Sequence, residues 1–191
     1  MNNLNALILI GGKSTRMGTD KSKLIYHNQS QINHVFNLLK EVIVEENIFY
    51  SVRDNSQIDN SSTIVDLYPD LGPFSAIYSA FSFDNTKSWL VLAIDIPFVN
   101  IDVLNLLIKN RDESKIATTF QGKTKKYPEP LITIWENKSF PLLKVNLENK
   151  KYSLVNLLNK NEIKTIPIED NLIENINTKE EYRKIKKALD N

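Results

Sequence analysis

The stretch LNALILIGGKSTRMGTDKSKL, residues 4–24, joins a short apolar run to a long loop that contains glycines and cations. The first seven residues predict a buried β-strand that ends at Gly11 and Gly12. A plain connection from a strand to a helix is about two to six residues long. This loop is longer, and it carries four cations against the single acid Asp20. Its length and charge therefore predict a site for an anion.

The residue types in the loop suit that prediction. Gly11 and Gly12 allow a sharp turn and a close approach of the backbone to a ligand. Backbone N–H groups together with Arg16 and Lys21 would bind an anion strongly. The loop matches neither the phosphate-binding pattern G-x-x-x-x-G-K-[ST] nor the dinucleotide pattern G-x-G-x-x-G. The alternative is a solvated loop whose charges bind nothing.

Strands and helices alternate in the following residues. NIFYSV (47–52), STIVD (62–66) and WLVLAID (89–95) read as strands, and WLVLAID is the most apolar of them. Apolar residues recur at helical spacing from Ile32 to Val42, and a second helix is expected to open at Gly72 and Pro73. A third helix is expected over residues 101–109.

The C-terminal half continues the alternation. Strands are expected near residues 116–119 and over LITIW (131–135), with two short helices across residues 140–159. IKTIPI (163–168) reads as an edge strand because Pro167 cannot donate a ladder hydrogen bond. Residues 178–189 read as a last helix with a capping box. The pattern predicts one α/β domain over residues 1–191, with three layers and a mostly parallel sheet.

Composition narrows the classes of function. The 191 residues carry a net charge of +1, with 41% hydrophobic and 25% charged residues, which are ordinary globular values. A charge this close to zero does not favour nucleic acid as a partner. The absence of cysteine excludes thiolate nucleophiles, disulfides and cysteine-ligated metals. No apolar run is long enough for a signal peptide or a membrane span. We therefore expect a soluble, cytoplasmic protein.

The opening loop, G-G-x-S-x-R-M-G-x-D-K, resembles that of nucleotidyltransferases that couple a phosphate to an NTP, and most closely that of the molybdenum cofactor guanylyltransferase family. Four further segments match that family in the same order. They are Asp66 before YPDLGP, Asp95 in VLAIDIPFV, the segment YPEPL and the segment NINT. The matches run from Leu9 to Thr178 and so span most of the chain.

The resemblance implies a Rossmann-like nucleotidyltransferase fold and transfer of GMP from GTP to molybdopterin, with Mg²⁺ as cofactor. It also implies transient contact with proteins that insert molybdenum or receive the cofactor. Nothing in the sequence demands more than a monomer. By the same resemblance Arg16, Lys21 and Asp95 are catalytic, Asp95 binds the metal, and Asn175 and Asn177 contact the second substrate. The nucleotide-binding positions it implies are Leu9, Ile10, Gly11, Gly12, Ser14, Arg16, Lys21, Ser51, Asp66, Gly72 and Asp95.

The residues by themselves allow plainer roles. Asp95 could cap the helix that follows it, and Asp66 could make a hydrogen bond within its loop. Asn175 and Asn177 could form the outer face of an extended edge. The basic run of residues 123–126 is either solvated or in contact with an anionic pterin. As a whole, the chain could instead be a cytidylyltransferase, a sugar-phosphate nucleotidylyltransferase or a non-catalytic nucleotide-binding partner.

Overall fold

The computed structural model describes residues 3–10, 25–26, 29–54, 62–176 and 180–181. Its helices are α1 (Gln31–Lys40), α2 (Pro73–Phe83), α3 (Ile101–Lys109), α4 (Phe140–Glu148) and α5 (Leu154–Asn159). Its strands are β1 (Leu4–Leu9), β2 (Ile25–Tyr26), β3 (Gln29–Ser30), β4 (Ile48–Val52), β5 (Thr63–Val65), β6 (Ser88–Ala93), β7 (Ala117–Gly122), β8 (Glu129–Trp135) and β9 (Lys164–Ile168).

Seven strands form one sheet in the order β5-β4-β1-β6-β8-β7-β9, and β2 pairs with β3 in a separate small ribbon. Strands β5, β4, β1 and β6 run parallel to one another, and β9 runs parallel to β7. Within this seven-stranded sheet, β8 is antiparallel to both of its neighbours, β6 and β7. Residues 123–128 join β7 to β8, and six residues are too few for a parallel crossover. The predicted mostly parallel sheet is confirmed, and IKTIPI does form an edge strand.

Helices cover both faces of the sheet. Every residue of β1 and β6 is buried, as expected for strands with a covered layer on each side. The chain moves outward from β1 through α1 to β4, and back in the other direction from β5 through α2 to β6. Right-handed crossovers in opposite directions place their helices on opposite faces. The predicted three-layer α/β/α architecture is therefore confirmed.

β6 ends earlier, and β8 begins earlier, than the sequence predicts. β6 ends at Ala93, and Asp95 lies two residues later in a turn. The Ile94 N–H donates to the Leu9 carbonyl at 3.1 Å, and the Asp95 carbonyl then accepts from the N–H of Ile176, which lies beyond the end of β9. β8 begins at Glu129, two residues before LITIW.

None of the described helices is long and apolar enough to cross a membrane.

A buried ion pair closes the end of the sheet where β6 begins. Glu136 is 2% exposed and accepts hydrogen bonds of 2.7 Å from both Nε and Nη2 of Arg111. Ser88, the first residue of β6, donates its hydroxyl to the same carboxylate at 2.6 Å. This cluster connects Arg111, two residues beyond the end of α3, to β6 and to the end of β8. It lies at the opposite end of β6 from Asp95.

Candidate functional site

The carboxyl ends of β5, β4, β1 and β6 meet at one edge of the sheet. Leu9, at the end of β1, pairs in register with Ser51 of β4 and Ala93 of β6. Asp66 follows β5, and its N–H donates to the Val52 carbonyl at 2.8 Å. In open parallel sheets ligands bind at this edge. The fold thus gathers several of the residues predicted for a nucleotide site.

Ser51 and Asp66 form one hydrogen-bonded pair at this edge. The Ser51 hydroxyl donates to Oδ1 of Asp66 at 2.8 Å, and Ser51 itself is 7% exposed. Burial raises the pKa of Asp66, although the bond from Ser51 and the positive charge of Arg53 act in the opposite direction. The hydrogen bond from Ser51 therefore holds the half-buried Asp66 carboxylate in one orientation, while burial removes part of the water that would solvate its charge.

A cleft opens between Ser51 and the start of α2. Gly72, just before the helix, has φ +59° and ψ −143°, a backbone conformation that is essentially restricted to glycine. No atom lies within 4 Å of where a Cβ would stand, so backbone conformation rather than space requires glycine. Arg53 is a lining residue that sequence reasoning missed, although a cation two residues after Ser51 was a readable signal. The cleft is lined by Leu9, Ser51, Arg53, Pro69, Gly72, Pro73 and Ala76.

The residues after β9 lie beside Asp95. The Ile176 N–H donates to the backbone carbonyl of Asp95 at 2.8 Å, which places Asn175 next to that turn. The Oδ1 atom of Asn175 is buried and has no hydrogen-bond partner among the described residues. The resemblance predicted that these two residues belong to one site, and the fold does bring them together.

Glu129 is a second carboxylate near Asp95. β6 and β8 pair antiparallel with Leu92 opposite Ile132, so the end of β6 and the start of β8 lie at the same edge of the sheet, and Glu129 comes close enough to Asp95 to feel its charge. The Leu131 N–H donates to Oε1 of Glu129 at 3.0 Å. Burial raises the pKa of Glu129 to about 7, and the charge of Asp95 contributes to that rise. This glutamate belongs to the segment YPEPL, but local pattern indicates no role for it because Asp95 is 34 positions away in the sequence.

These side chains fit a hard divalent cation. Within the described ranges no three His, Asp or Glu side chains come together as a metal cluster. Asp95 and Glu129 nonetheless supply carboxylates, and Asn175 supplies a buried amide oxygen. Mg²⁺ commonly takes one or two carboxylates and completes its shell with waters and substrate phosphates. The donor set therefore suits a metal that is shared with a phosphate ligand.

A larger cavity, of about 400 Å³, lies on the other side of Asp95, toward β8 and β7. Glu129 and Asn175 belong to its wall, so it adjoins the turn that carries Asp95. The cleft beside Ser51 lies toward β1 and β4 instead. The cavity is lined by Lys125, Lys126, Tyr127, Pro128, Glu129, Pro130, Val155, Ile173, Glu174 and Asn175.

Part of the predicted site lies outside the described residues. Ile10 is described and its side chain belongs to the core at 5% exposure, which leaves its main chain for any ligand contact. The roles of the remaining residues stay predictions of the sequence. They are Gly11, Gly12, Ser14, Arg16, Lys21 and Asn177.

Comparisons with known proteins show which family this chain resembles. The family model described as MobA-like NTP transferase domain matches residues 6–163. A molybdenum cofactor guanylyltransferase from Campylobacter jejuni is 31% identical over 193 residues, covering 99% of this chain and 98% of its own. A probable molybdenum cofactor guanylyltransferase from Flavobacterium johnsoniae is 29% identical over 184 residues, covering 95% of each chain.

Solved structures share the fold at lower identity. Molybdopterin-guanine dinucleotide biosynthesis protein A from Archaeoglobus fulgidus superposes with a TM-score of 0.76 at 22% identity, covering 96% of this chain and 97% of that one. A Mycobacterium tuberculosis protein, solved as a complex with manganese, has a TM-score of 0.66 at 11% identity, covering 97% of this chain and 99% of its own. The fold thus includes a member with a bound divalent metal.

Proposed function

The chain belongs to the MobA-like NTP transferase family, and from that premise we propose that it transfers GMP from GTP to the terminal phosphate of molybdopterin. The product is the guanine dinucleotide form of the molybdenum cofactor, and diphosphate is released. Relatives named as guanylyltransferases match over nearly the whole length of the chain, which supports this activity. A nucleotidyltransferase of this kind must hold two phosphorylated substrates side by side.

One observation carries the proposal. The two concave sites lie on either side of β6, the strand that Asp95 follows: the cleft is lined by Leu9 of β1 and Ser51 of β4, and the cavity by Glu129 of β8. A nucleotide bound in the cleft and an acceptor bound in the cavity would therefore bring their phosphates together near Asp95. That is the arrangement required for direct transfer without a covalent enzyme intermediate.

The reaction then consists of positioning and charge neutralisation. An oxygen of the acceptor phosphate forms a bond to the α-phosphorus of GTP. The bond from that phosphorus to the bridging oxygen breaks, and diphosphate leaves with the electron pair. The acceptor phosphate is ionised at neutral pH, so the chain needs no general base. Arg16 and Lys21 of the opening loop would bind the leaving diphosphate.

Asp95 would hold Mg²⁺, and Glu129 and Asn175 stand next to it with further oxygen atoms. When bound, the metal supplies charge neutralisation on the phosphates. The second substrate would contact Asn175 and Asn177. Sharing of the metal by both substrates fits the position of Asp95 between the two sites.

Ser51 and Asp66 support recognition of guanine in the cleft. Guanine carries N–H donors on its pairing edge, and a carboxylate accepts from such donors with charge-assisted strength. Adenine presents an acceptor at the corresponding ring nitrogen, which a carboxylate would repel. Ser51 holds the Asp66 carboxylate in place through its hydroxyl. We therefore assign the preference for guanine to this pair.

Asp66→Asn should weaken GTP binding without destabilising the fold. We expect the Kd for GTP to rise about tenfold, because a charge-assisted bond is replaced by a neutral one. Burial raises the pKa of Asp66 above its unfolded value, so the ionised carboxylate lowers stability at pH values above that raised pKa. Removing the charge should therefore leave Tm unchanged or higher at neutral pH. Calorimetric titration and thermal unfolding measure the two effects.

The control for this variant is Asp102→Asn, which makes the same change at an exposed position in the first turn of α3. Asp102→Asn should leave the GTP affinity unchanged. A GTP affinity that is equal in Asp66→Asn and the original chain would contradict the assignment of Asp66.

The proposal as a whole is tested by thermal unfolding with GTP, CTP, ATP and UTP, each with and without Mg²⁺. A ligand that binds only the folded chain adds RT ln(1 + [L]/Kd), about 2.7 kcal/mol at 100 times Kd. For a chain of 191 residues this corresponds to a rise in Tm of roughly 5–10 °C. GTP should stabilise the protein more than the other nucleotides, and Mg²⁺ should strengthen its effect. A larger effect of CTP would point to a cytidylyltransferase, and no response to any nucleotide would contradict the proposal.

A further inference from the structure

We infer that the cavity beside Asp95 binds the acceptor, a flat heteroaromatic ring with a phosphate, and that Lys126 and Tyr127 of the turn formed by residues 123–128 are its specificity-determining contacts. This inference rests on the proposed function and goes beyond it. The family resemblance supplied the asparagines after β9 as contacts for the second substrate and matched YPEPL, which begins at Tyr127, without a role; the residues alone left the run 123–126 as either solvated or in contact with an anionic pterin. The cavity and its lining lead to the turn instead.

The size and position of the cavity suit the acceptor. Its volume of about 400 Å³ falls within the usual range for small-molecule sites. Its wall includes Glu129, whose carboxyl group is affected by the charge of Asp95, and Asn175, whose neighbour Ile176 is bonded to Asp95. An acceptor lying in the cavity would therefore reach Asp95 with one end. That end must be its phosphate, since the phosphate is the reacting group.

The chemistry of the lining is mixed. Lys125 and Lys126 supply positive charge, while Glu129 and Glu174 supply carboxylates. A ligand that was only an anion would be repelled by the carboxylates. A pterin phosphate combines an anionic group with ring N–H donors, so it can use both kinds of side chain. The apolar part of the wall suits the faces of a planar ring and consists of Pro128, Pro130, Val155 and Ile173.

Tyr127 offers a face for stacking. Its side chain is 49% exposed, which is unusual for a large aromatic residue in a wall of this kind. The ammonium group of Lys126 lies 5.2 Å from the centroid of the Tyr127 ring. A planar, electron-poor ring stacked on the tyrosine would therefore have a cation beside it. Together these two residues can bind both the ring and the negative charge of the acceptor.

The turn is held in place by residues that follow β9. Asp170 accepts hydrogen bonds from the N–H and the hydroxyl of Thr124, the first at 3.2 Å. The Lys125 N–H donates to the Gly122 carbonyl at 3.0 Å. A Cβ on Gly122 would overlap the Asp170 carboxylate, so glycine is required for this close approach. The lining side chains are thus presented by a fixed backbone, which lowers the entropic cost of binding.

Lys123 provides a matched control within the same turn. Its ammonium group pairs with Glu169, and it is absent from the residues that line the cavity. Lys123 and Lys126 are both exposed lysines three positions apart. Replacing either with alanine removes one positive charge from the turn. Only the second replacement removes a charge from the cavity.

The test compares Lys126→Ala, Tyr127→Ala and Lys123→Ala in two separate measurements. Calorimetry gives the Kd for GTP with Mg²⁺, and steady-state transfer at saturating GTP gives KM and kcat for molybdopterin kept free of oxygen. We expect each cavity variant to raise the KM for molybdopterin about tenfold, since each loses one charge-assisted or stacking contact. The Kd for GTP should stay within about twofold, because the nucleotide occupies the other site. Lys123→Ala should change neither value.

The inference about the cavity and the proposed function can fail separately. Normal GTP binding and transfer, with an unchanged KM for molybdopterin in both cavity variants, would overturn the inference and leave the proposed function intact. The same increase in KM for Lys123→Ala would also overturn it, because the effect would then be one of general charge. An original chain that binds no GTP or transfers no GMP would overturn the proposed function, and this inference with it.

Discussion

Asp95→Asn is expected to lower kcat for GMP transfer by about a thousandfold, since a metal ion on transferring phosphates stabilises the transition state by several kcal/mol. The substitution keeps the shape of the side chain and removes its charge, which is what holds a hard cation. The affinity for Mn²⁺ in the presence of GTP should fall together with kcat. Quenched-flow assays and electron paramagnetic resonance of Mn²⁺ measure these two effects independently.

The fold should survive this substitution. Asp95 is bonded to Ile176 through its backbone carbonyl, which asparagine retains. The turn also follows β6, whose residues are buried throughout and stabilise this part of the sheet on their own. We therefore expect a Tm close to that of the original chain. A large drop in Tm would mean that Asp95 is a structural residue.

Asp102→Asn is again the matched control, because it exchanges the same atoms at an exposed site on α3. It should leave both kcat and the Mn²⁺ affinity unchanged. If Asp95→Asn retained kcat within a few-fold of the original value, the proposed metal role of Asp95 would be wrong. Transfer would then depend on the cations of the opening loop alone.

Arg111→Met should destabilise the protein by about 3–5 kcal/mol, the usual cost of leaving one member of a buried ion pair without its partner. Glu136 is 2% exposed and would keep only the hydroxyl of Ser88 within the cluster. Burial of an unpaired carboxylate is costly because water no longer solvates it. For a chain of this length the drop in Tm should be roughly 6–20 °C. Urea unfolding followed by circular dichroism measures the change in free energy.

Two further variants separate the buried pair from general charge effects. Glu113 is the other acidic neighbour of Arg111; its side chain is 69% exposed, and its Oε1 lies 3.4 Å from Nη1 of Arg111. Glu113→Gln should therefore change the free energy of unfolding by less than about 1 kcal/mol. Adding Glu136→Leu to Arg111→Met should recover much of the lost stability, because no buried charge then remains. If Arg111→Met unfolded at the original urea concentration, the pair would contribute nothing to stability. GTP affinity of the folded variant should be unchanged, since the cluster lies at the far end of β6 from Asp95.

The sequence by itself determined the class of fold and the edge at which the site lies. Short apolar runs such as WLVLAID are long enough for one strand and too short for a membrane span, so they predict buried strands. Helical spacing between them predicts crossover connections, and crossovers of this kind require parallel neighbours. Asp66 and Asp95 follow such runs in the sequence. Their position near the carboxyl edge was therefore predictable from local pattern alone.

Only the tertiary structure decided which residues meet there. Ser51 and Asp66 are 15 positions apart and become a hydrogen-bonded pair because β4 and β5 adjoin in register. Glu129 lies near Asp95 because β8 runs antiparallel to β6, which brings the start of β8 to the end of β6. The turn after β7 receives its shape from Asp170, 46 positions away from Thr124. The spacing of apolar residues in the sequence indicates which residues of a strand or helix are buried. The order and register of the strands depend on how all the strands and helices pack together, which that spacing does not indicate.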